Sequence, residues 1–395
     1  MTLLDILPSL RHAVKPRIDP TLWPHTTHVD EAARLTVGGA ALTDVADEAG
    51  TPVTVFDEAD FRYRAKRYRK DLPRTKVIYA AKALLTTGIA RLAAEEHLGV
   101  DVGSAAELMT ATAGGVDPAH IVYHGPTDDL CAAAGVGRVV IDSVLDIACL
   151  ARVLTAPQNV LISAADPELV RCVLREPLLH PVGLHCHLGT QLSDAQVYGD
   201  AVGRLLRAMA DVRKRHGVVL SELNIGGGHA VPYCSGDPVL DVRALSLAID
   251  DALDAACAAE RFPRPTIVVE PGRALVARAG VTLHRVAAVT RGRVIVDGTA
   301  PFGARCTATV ANRHALGPSE ARSVVGRNGV EIVGDADLPC DIHPGDLIAV
   351  AGTGAYHRCS GALVAQPPLV SVCNGRLRTL VRRETVTDLM ARDRG

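Results

Sequence analysis

Between Lys76 and Arg273, short and almost uninterrupted apolar runs alternate with longer stretches in which apolar residues recur every three or four positions. The runs are KVIYAA (76–81), GVDVGS (99–104), IVYHG (121–125), RVVID (138–142), NVLIS (159–163), VGLHCHLG (182–189), ELNIGGG (222–228) and TIVVEPGR (266–273). The stretches between them, such as IARLAAEEHL and AVGRLLRAMADVRKRHG, carry a helical period. Strands without polar alternation suit a parallel sheet buried on both faces. Their alternation with helices reads as βαβ units. Eight such units predict an α/β fold, a closed (β/α)8 TIM-type barrel, with a doubly wound open sheet as the alternative. After Leu275 the period changes. VTLHRVAAVT, RVIVDG, DLIAVAG and PPLVSVC are strand-like and joined by turns, which predicts a C-terminal β domain over 275–395. The barrel is placed at 51–274, opened by the strand in TPVTVFD (51–57), a run that also suits the β domain. Residues 1–50 form an N-terminal extension, and Asp47 to Gly50 reads as a loop.

Composition narrows the function classes. Of 395 residues 48% are hydrophobic, enough for a large core, and the net charge is -2, without a Lys/Arg run dense enough for nucleic acid. No apolar stretch is long enough to predict a membrane span. The start, MTLLDILPSLRHAV, lacks a basic n-region and a long apolar h-region, so a cytoplasmic enzyme is expected. The ten cysteines fall in no CxxC or metal-finger spacing and read as scattered, reduced core thiols; no metal is expected. Lysines are few: Lys15, Lys66, Lys70, Lys76, Lys82 and Lys214. One at an unusual place therefore stands out.

In such a barrel the active site lies at the C-terminal ends of the strands. Lys82 follows the first strand there; Asp101 and Ser104 lie on the second, and His124 ends the third. His187 ends the sixth, Gly226, Gly227 and Gly228 the seventh, and Glu270, Gly272 and Arg273 the eighth. Singly, each has an ordinary reading: a solvated lysine, a flexible turn, a strand-end ion pair, a core histidine. Together they supply an amine, a backbone nest for phosphate at a helix N-terminus, an acid and a ring that can stack. Pyridoxal phosphate needs that set. A lysine forms a Schiff base with its aldehyde, an acid keeps the pyridine nitrogen protonated, and amides with an arginine hold the phosphate.

The motifs YAAKALLTTGIARLAAEEHLGVDVGSAAEL, IVYHG, HCHLGTQL, LNIGGGHAVPY, VVEPGRALVARAG and PGDLIAVAGTGAY occur in this order from about Gly50 to the end. In type and order they resemble the diaminopimelate decarboxylase family of fold-type III, pyridoxal-phosphate-dependent amino acid decarboxylases. The resemblance implies that Lys82 is the Schiff-base lysine and that His187 stacks on the cofactor ring. It implies that Gly226 to Gly228, Arg273 and Tyr356 bind the phosphate, that Glu270 faces the pyridine nitrogen, and that Asp101 and Gly272 belong to the cofactor site. Thr190 stands where the family has serine and keeps the hydroxyl. A homodimer is also implied.

The chain departs from the family on the substrate side. The long loop after the fifth strand, with its Lys-Phe-Gly motif, is missing; NVLISAADPELV runs almost directly into a helix. After VIVDG the Gly-Gly-Met-Ser-Asp stretch and its substrate-gripping arginine and tyrosine are replaced by TAPFGARCTATVANR, where Phe302 is the candidate for the tyrosine's place. The Cys-Glu-Ser-Gly-Asp motif, which a partner subunit contributes in the family, is also missing. Cys340-Asp341 and Glu331 are the candidate replacements, with Glu331 closer to the expected place.

These losses spare the cofactor side, which predicts decarboxylation of an amino acid or amino acid derivative other than diaminopimelate, large or carrier-linked ones included, in a specialised pathway. A wide pocket is expected unless the N-terminal segment up to Val45, with its apolar LLDILPSLRHAV, or a neighbouring chain refills it. The alternatives are racemisation, epimerisation or retro-aldol cleavage with the same cofactor, and a non-catalytic cofactor-binding homologue.

Overall fold

The computed structural model describes residues 18–163, 166–298, 306–316, 318–357 and 365–391. They form two compact units. One comprises Arg62–Val231 with Pro238–Leu275; the other holds the described residues before Arg62 and after Leu275, together with Pro232–Asp237.

The chain begins in the second unit. β1 (His28–Val29), β2 (Leu35–Val37) and β3 (Ala40–Ala41) make a small antiparallel sheet, followed by the helix Leu42–Ala49 and by β4 (Val53–Asp57). The helix covers Asp47, which the polar-Gly reading made a loop. Leu42, Val45 and Ala46, at i, i+3 and i+4, bury one face of it and decide the matter.

The barrel follows. β5 (Thr75–Ala80), β6 (Gly99–Val102), β7 (Ile121–Tyr123), β8 (Arg138–Ile141), β9 (Gln158–Ser163), β10 (Leu179–His185), β11 (Glu222–Asn224) and β12 (Thr266–Val269) pair in parallel, and β12 returns to β5 to close it. All eight predicted runs supply these strands. Ile78, Val122, Val140, Leu161 and Val268 form a buried cluster in this unit. The outer helices start where a short polar side chain can accept from the first turn. Ser104, Ser143, Asp166, Asp194 and Asp241 each cap one. The longest helix, Ala195–His216, ends at Gly217 with φ +73° and carries four basic residues in its last turn, where the helix dipole favours cations. The link from β7 to β8 differs. A 3₁₀ segment, Thr127–Ala133, replaces the α-helix.

The second unit is completed by β13 (Gly280–Thr290), β14 (Arg293–Val296), β15 (Ala308–Val310), β16 (Ser319–Gly326), β17 (Glu331–Pro339), β18 (Leu347–Ala351), β19 (Leu369–Cys373) and β20 (Arg376–Val381). The order β17-β16-β14-β13-β4-β19-β20 forms the sheet, with β18 joining β13 to β15. Two predicted boundaries change here. β4 is not the barrel's opening strand: it lies between β13 and β19, antiparallel to the first and parallel to the second. Nor do residues 18–50 form an extension. Leu22, Trp23, Leu35, Val37, Leu42 and Val45 share one core with Val53, Val55, Val281, Leu283 and Val370. The apolar residues that suggested an appendage are core of the β unit.

The described cysteines are free, but their placement differs from the expected core thiols. Cys306 is buried, whereas Cys131 and Cys340 are exposed and the other described cysteines lie between. Among the described residues no helix is long and apolar enough to cross a membrane.

Candidate active site

β5 runs into a 3₁₀ turn, Ala81–Ala83, that buries both alanines and leaves Lys82 exposed between them. The end of β12 packs closely beside this turn. A Cβ on Gly272 would stand 2.9 Å from the Ala80 carbonyl oxygen and 3.1 Å from Ala83 Cβ.

Glu270, one residue past β12, is only 6% exposed. It accepts hydrogen bonds from His185 Nε2 at 3.2 Å and from Asn224 Nδ2 at 2.6 Å. Burial alone would raise its pKa, but the charge and hydrogen bond of His185, the Asn224 amide and the charge of His124 outweigh it. The carboxyl is held below its ordinary range and is ionised. An ionised carboxylate only accepts, so the proton of this pair lies on His185 Nε2. The opposite ring nitrogen, Nδ1, is buried and has no partner among the described residues.

The network continues around the strand ends. The His124 ring meets His185 edge-on with centroids 4.7 Å apart, and His124 Nε2 lies 2.8 Å from Asp142 Oδ2. Burial pushes the His124 pKa down, but the Asp142 hydrogen bond and charge, with Asp101 and Glu270, raise it overall. Asp101, inside β6, behaves oppositely to Glu270. Burial drives its carboxyl well above the ordinary range, the Glu270 charge adds to this, and Oδ1 is buried with no partner among the described residues. Two neighbouring carboxyls are thereby pushed in opposite directions, Glu270 down and Asp101 up.

His187 is exposed, two residues beyond the end of β10. Burial of part of its ring and the nearby Lys82 cation hold its pKa below the usual value. It also stands against the glycines: a Cβ on Gly226 would lie 3.5 Å from His187 Cα. Gly226 and Gly228 have φ of +68° and +82°, a region that favours glycine. Gly227 is fixed by proximity instead, since its Cβ would fall 2.0 Å from the Glu270 carbonyl oxygen. Tyr198 anchors this turn by donating from its hydroxyl to the Gly227 carbonyl at 2.9 Å. Behind it the His229 ring is stacked on Tyr68 and met edge-on by Tyr198. Burial pushes His229 down to about 4, so it is a neutral packing group near neutral pH.

Two details of the predicted nest change. The Gly226 N–H donates to Asn224 Oδ1 at 2.9 Å, so the amides left to meet an anion are those of Gly227 and Gly228, which make no hydrogen bond among the described residues. No helix starts at the glycines; the next begins at Val242. The anion site is a loop nest rather than a helix N-terminus.

Gly227→Ala is expected to lower the unfolding free energy by about 3 kcal/mol through overpacking, and to reduce cofactor per chain. Denaturant midpoints and cofactor absorbance check this against Gly203→Ala, whose Cβ would meet nothing closer than 3.9 Å.

Thr190 is exposed beside the nest, with its Cα 3.4 Å from a Cβ built on Gly228. Arg273 opens the short helix Arg273–Val276 directly after Gly272. Tyr356 belongs to the other unit, 39% exposed and at φ +64° in the turn after β18. Of the substrate-side candidates, Asp341 is committed to Arg313 Nη1 at 2.8 Å, Cys340 is exposed, and Glu331 is exposed at the start of β17. Phe302 and LLDILPSLRHAV lie outside the described residues. After β9 the chain reaches a helix at Pro167, so the strand-five connection is short.

His185, Asn224 and Asp142 were not singled out from the sequence. A signal existed for His185: in HCH it stands two residues before His187, and alternate strand residues share a face.

These residues fit pyridoxal phosphate. The site offers an exposed amine, an ionised buried carboxylate, an unpaired buried carboxyl oxygen and a glycine turn with two amides left over. No cluster of metal-ligating side chains occurs among the described residues.

Comparison with known proteins agrees. The profile of the family "Pyridoxal-dependent decarboxylase, pyridoxal binding domain" matches residues 58–174 and 162–277, two segments that meet where the strand-five loop is short. The chain is 38% identical to a diaminopimelate decarboxylase of Actinosynnema pretiosum subsp. auranticum over all of both chains. It is 31% identical to that of Corynebacterium efficiens over 94% of each. The crystal structure of M. jannaschii diaminopimelate decarboxylase in co-complex with L-lysine superposes with a TM-score of 0.85, at 23% identity, covering 94% of this chain and 98% of that one. A structure of SrLDC in complex with PLP and cadaverine gives 0.69 at 24% identity, covering 81% and 89%. The (β/α)8 barrel with its separate β unit is thus the fold of these enzymes, and the chain belongs to the pyridoxal-dependent decarboxylases, carboxy-lyases that work through pyridoxal phosphate.

Proposed function

We propose that this enzyme decarboxylates an amino acid or amino acid derivative other than diaminopimelate. The observation that carries this reading is the short passage from β9 to Pro167, where the family's long loop and its Lys-Phe-Gly motif would stand. The other substrate-side losses point the same way. The Gly-Gly-Met-Ser-Asp and Cys-Glu-Ser-Gly-Asp motifs are missing, and Asp341, a candidate substitute, is held by Arg313. The relatives' name, diaminopimelate decarboxylase, points to the parent activity.

When bound, pyridoxal phosphate supplies an electron sink for the pair left behind as CO₂ departs. The protein's share is positioning and proton control. Lys82 Nζ would hold the cofactor and would be the group placed to return a proton to Cα. Glu270 holds a proton at the pyridine nitrogen, and His185 with Asn224 keeps that carboxylate ionised and aimed. His187 offers a ring face to the cofactor. The amides of Gly227 and Gly228, with Arg273 and the Thr190 hydroxyl, would take the phosphate. Asp101, whose carboxyl is pushed up by burial and by the Glu270 charge, favours its protonated form beside that carboxylate.

The test is CO₂ release by the holoenzyme across a panel of amino acids, with α-deuterium exchange measured in parallel. Leaving one distal charge of diaminopimelate unpaired costs about 3–5 kcal/mol, by analogy with broken buried ion pairs. At about 1.4 kcal/mol per tenfold, kcat/KM for meso-diaminopimelate should fall about a hundred- to a thousandfold below that of the preferred substrate. Turnover of meso-diaminopimelate as efficient as of any other amino acid would overturn the proposal; exchange without CO₂ would favour racemisation.

Two further readings belong to the same proposal. Missing loops at the strand ends remove walls of the site, which favours a large or carrier-linked substrate. The enzyme is also proposed to act as a homodimer in the cytoplasm. Sedimentation at micromolar concentration should give twice the 41.5 kDa of the chain; a monomer with full cofactor occupancy contradicts this.

A further inference from the structure

Two cysteines outside the cofactor site lie in contact. Cys131 sits in the 3₁₀ segment Thr127–Ala133 and Cys149 in the helix Val144–Ala151, with their sulfurs 3.3 Å apart. Both are free, Cys131 is exposed and Cys149 partly so. The backbone around them is fastened by other groups. Thr127 Oγ1 donates to Asp146 Oδ1 at 2.6 Å, the Cys149 thiol donates to the Thr127 carbonyl oxygen at 3.4 Å, and Asp146 completes the capping box with Ser143. On the far side, Ala105 N–H donates to Asp129 Oδ2 at 3.2 Å. The thiols are therefore held side by side rather than meeting by chance motion. A disulfide needs the sulfurs at about 2.05 Å, a closure of about 1.2 Å, which side-chain torsions can supply.

We propose that Cys131 and Cys149 form a thiol–disulfide exchange site for low-molecular-weight disulfides. The exposed Cys131 thiolate attacks the small disulfide RSSR. Its S–S bond breaks, one RS⁻ leaves and takes up a proton, and Cys131 becomes a mixed disulfide. Cys149 then loses its proton to solvent and attacks Cys131 Sγ, expelling the second RS⁻. The balance is two protein thiols plus RSSR giving one protein disulfide plus two RSH: the protein is oxidised by two electrons and the small disulfide is reduced. The order of events follows from the contact. While Cys131 is free, its hydrogen bond, together with burial and its charge, raises the Cys149 pKa. Capping Cys131 removes the first and third of these and frees Cys149 for the second attack. The product would tie together the two segments that follow the strands leading to His124 and Asp142.

The test uses the full-length holoenzyme, incubated with oxidised glutathione, followed by thiol titration and peptide mapping without reduction. Two of the ten thiols should be lost, with one peptide pair joined through Cys131 and Cys149, and dithiothreitol should restore both. In Cys149→Ser the reaction should stop at a glutathione adduct on Cys131, whereas Cys340→Ser should behave as the parent. A stable adduct on Cys131 in the parent enzyme, no reaction at either residue, or the same two-thiol loss in Cys149→Ser would each overturn the proposal.

Discussion

Replacing Lys82 by alanine is expected to abolish covalent retention of pyridoxal phosphate and to lower kcat/KM by more than about a thousandfold, on the order of 4 kcal/mol or more of barrier. The fold should survive, because Lys82 is exposed in a three-residue turn whose buried members are alanines. Loss of activity would then report chemistry rather than unfolding. Borohydride reduction followed by peptide mapping checks the assignment directly. In the parent enzyme the label should fall on Lys82, and in the variant it should disappear along with the visible absorbance of the bound cofactor. A label on Lys15, Lys66, Lys70, Lys76 or Lys214 would move the site away from the strand ends.

Glu270→Gln is expected to reduce kcat about a thousandfold while leaving the cofactor bound. The substitution keeps the shape, an oxygen that can accept from His185, and the neighbourhood of Asn224. It removes the charge proposed to hold a proton on the ring nitrogen. Removing one member of a buried, hydrogen-bonded charge pair costs about 3–5 kcal/mol, so an effect of this size is in range. Separating kcat from KM distinguishes this role from a structural one. A structural loss should lower the melting temperature and cofactor content with kcat per bound cofactor unchanged; loss of the proton-holding charge should lower kcat per bound cofactor. The neighbouring pair gives a further check, because Asp101 owes part of its raised pKa to the Glu270 charge. Neutralising Glu270 should let the Asp101 carboxyl ionise more readily, visible by carboxyl infrared bands in the variant.

The barrel was legible because a buried parallel strand must be apolar on both faces, and the runs from KVIYAA to TIVVEPGR meet that demand without alternation. That Lys82, Asp101, His187, Gly226 to Gly228 and Glu270 stand at or beside strand ends was legible from their places in and after such runs. What the pattern could not reveal was partnership. VTVF is buried throughout, yet burial does not name neighbours, so β4 reads equally well as part of either sheet. The Gly226 amide looked available for phosphate because nothing in GGG foretells that Asn224, two residues earlier, takes it. His185 and Asp142 were missed for a related reason. Each matters through a residue distant in sequence, Glu270 in one case and His124 in the other. Cys131 and Cys149 were invisible as a pair because seventeen residues of intervening chain, including β8, bring them together.

The position of β4 has a consequence for how the chain matures on the ribosome. The barrel strands all fall between Thr75 and Val269, and each pairs with the next until β12 closes on β5. β4 emerges before any of them, yet its two neighbours span Gly280–Thr290 and Leu369–Cys373. The barrel's eight strands can therefore pair while β4 still lacks both partners, and its second partner arrives only with the last part of the chain. Through most of synthesis an apolar strand stands with open hydrogen-bonding edges, the condition under which nascent chains pair wrongly or recruit chaperones. In a circular permutant carrying residues 18–57 after Gly395, β4 would emerge with both of its partners already made.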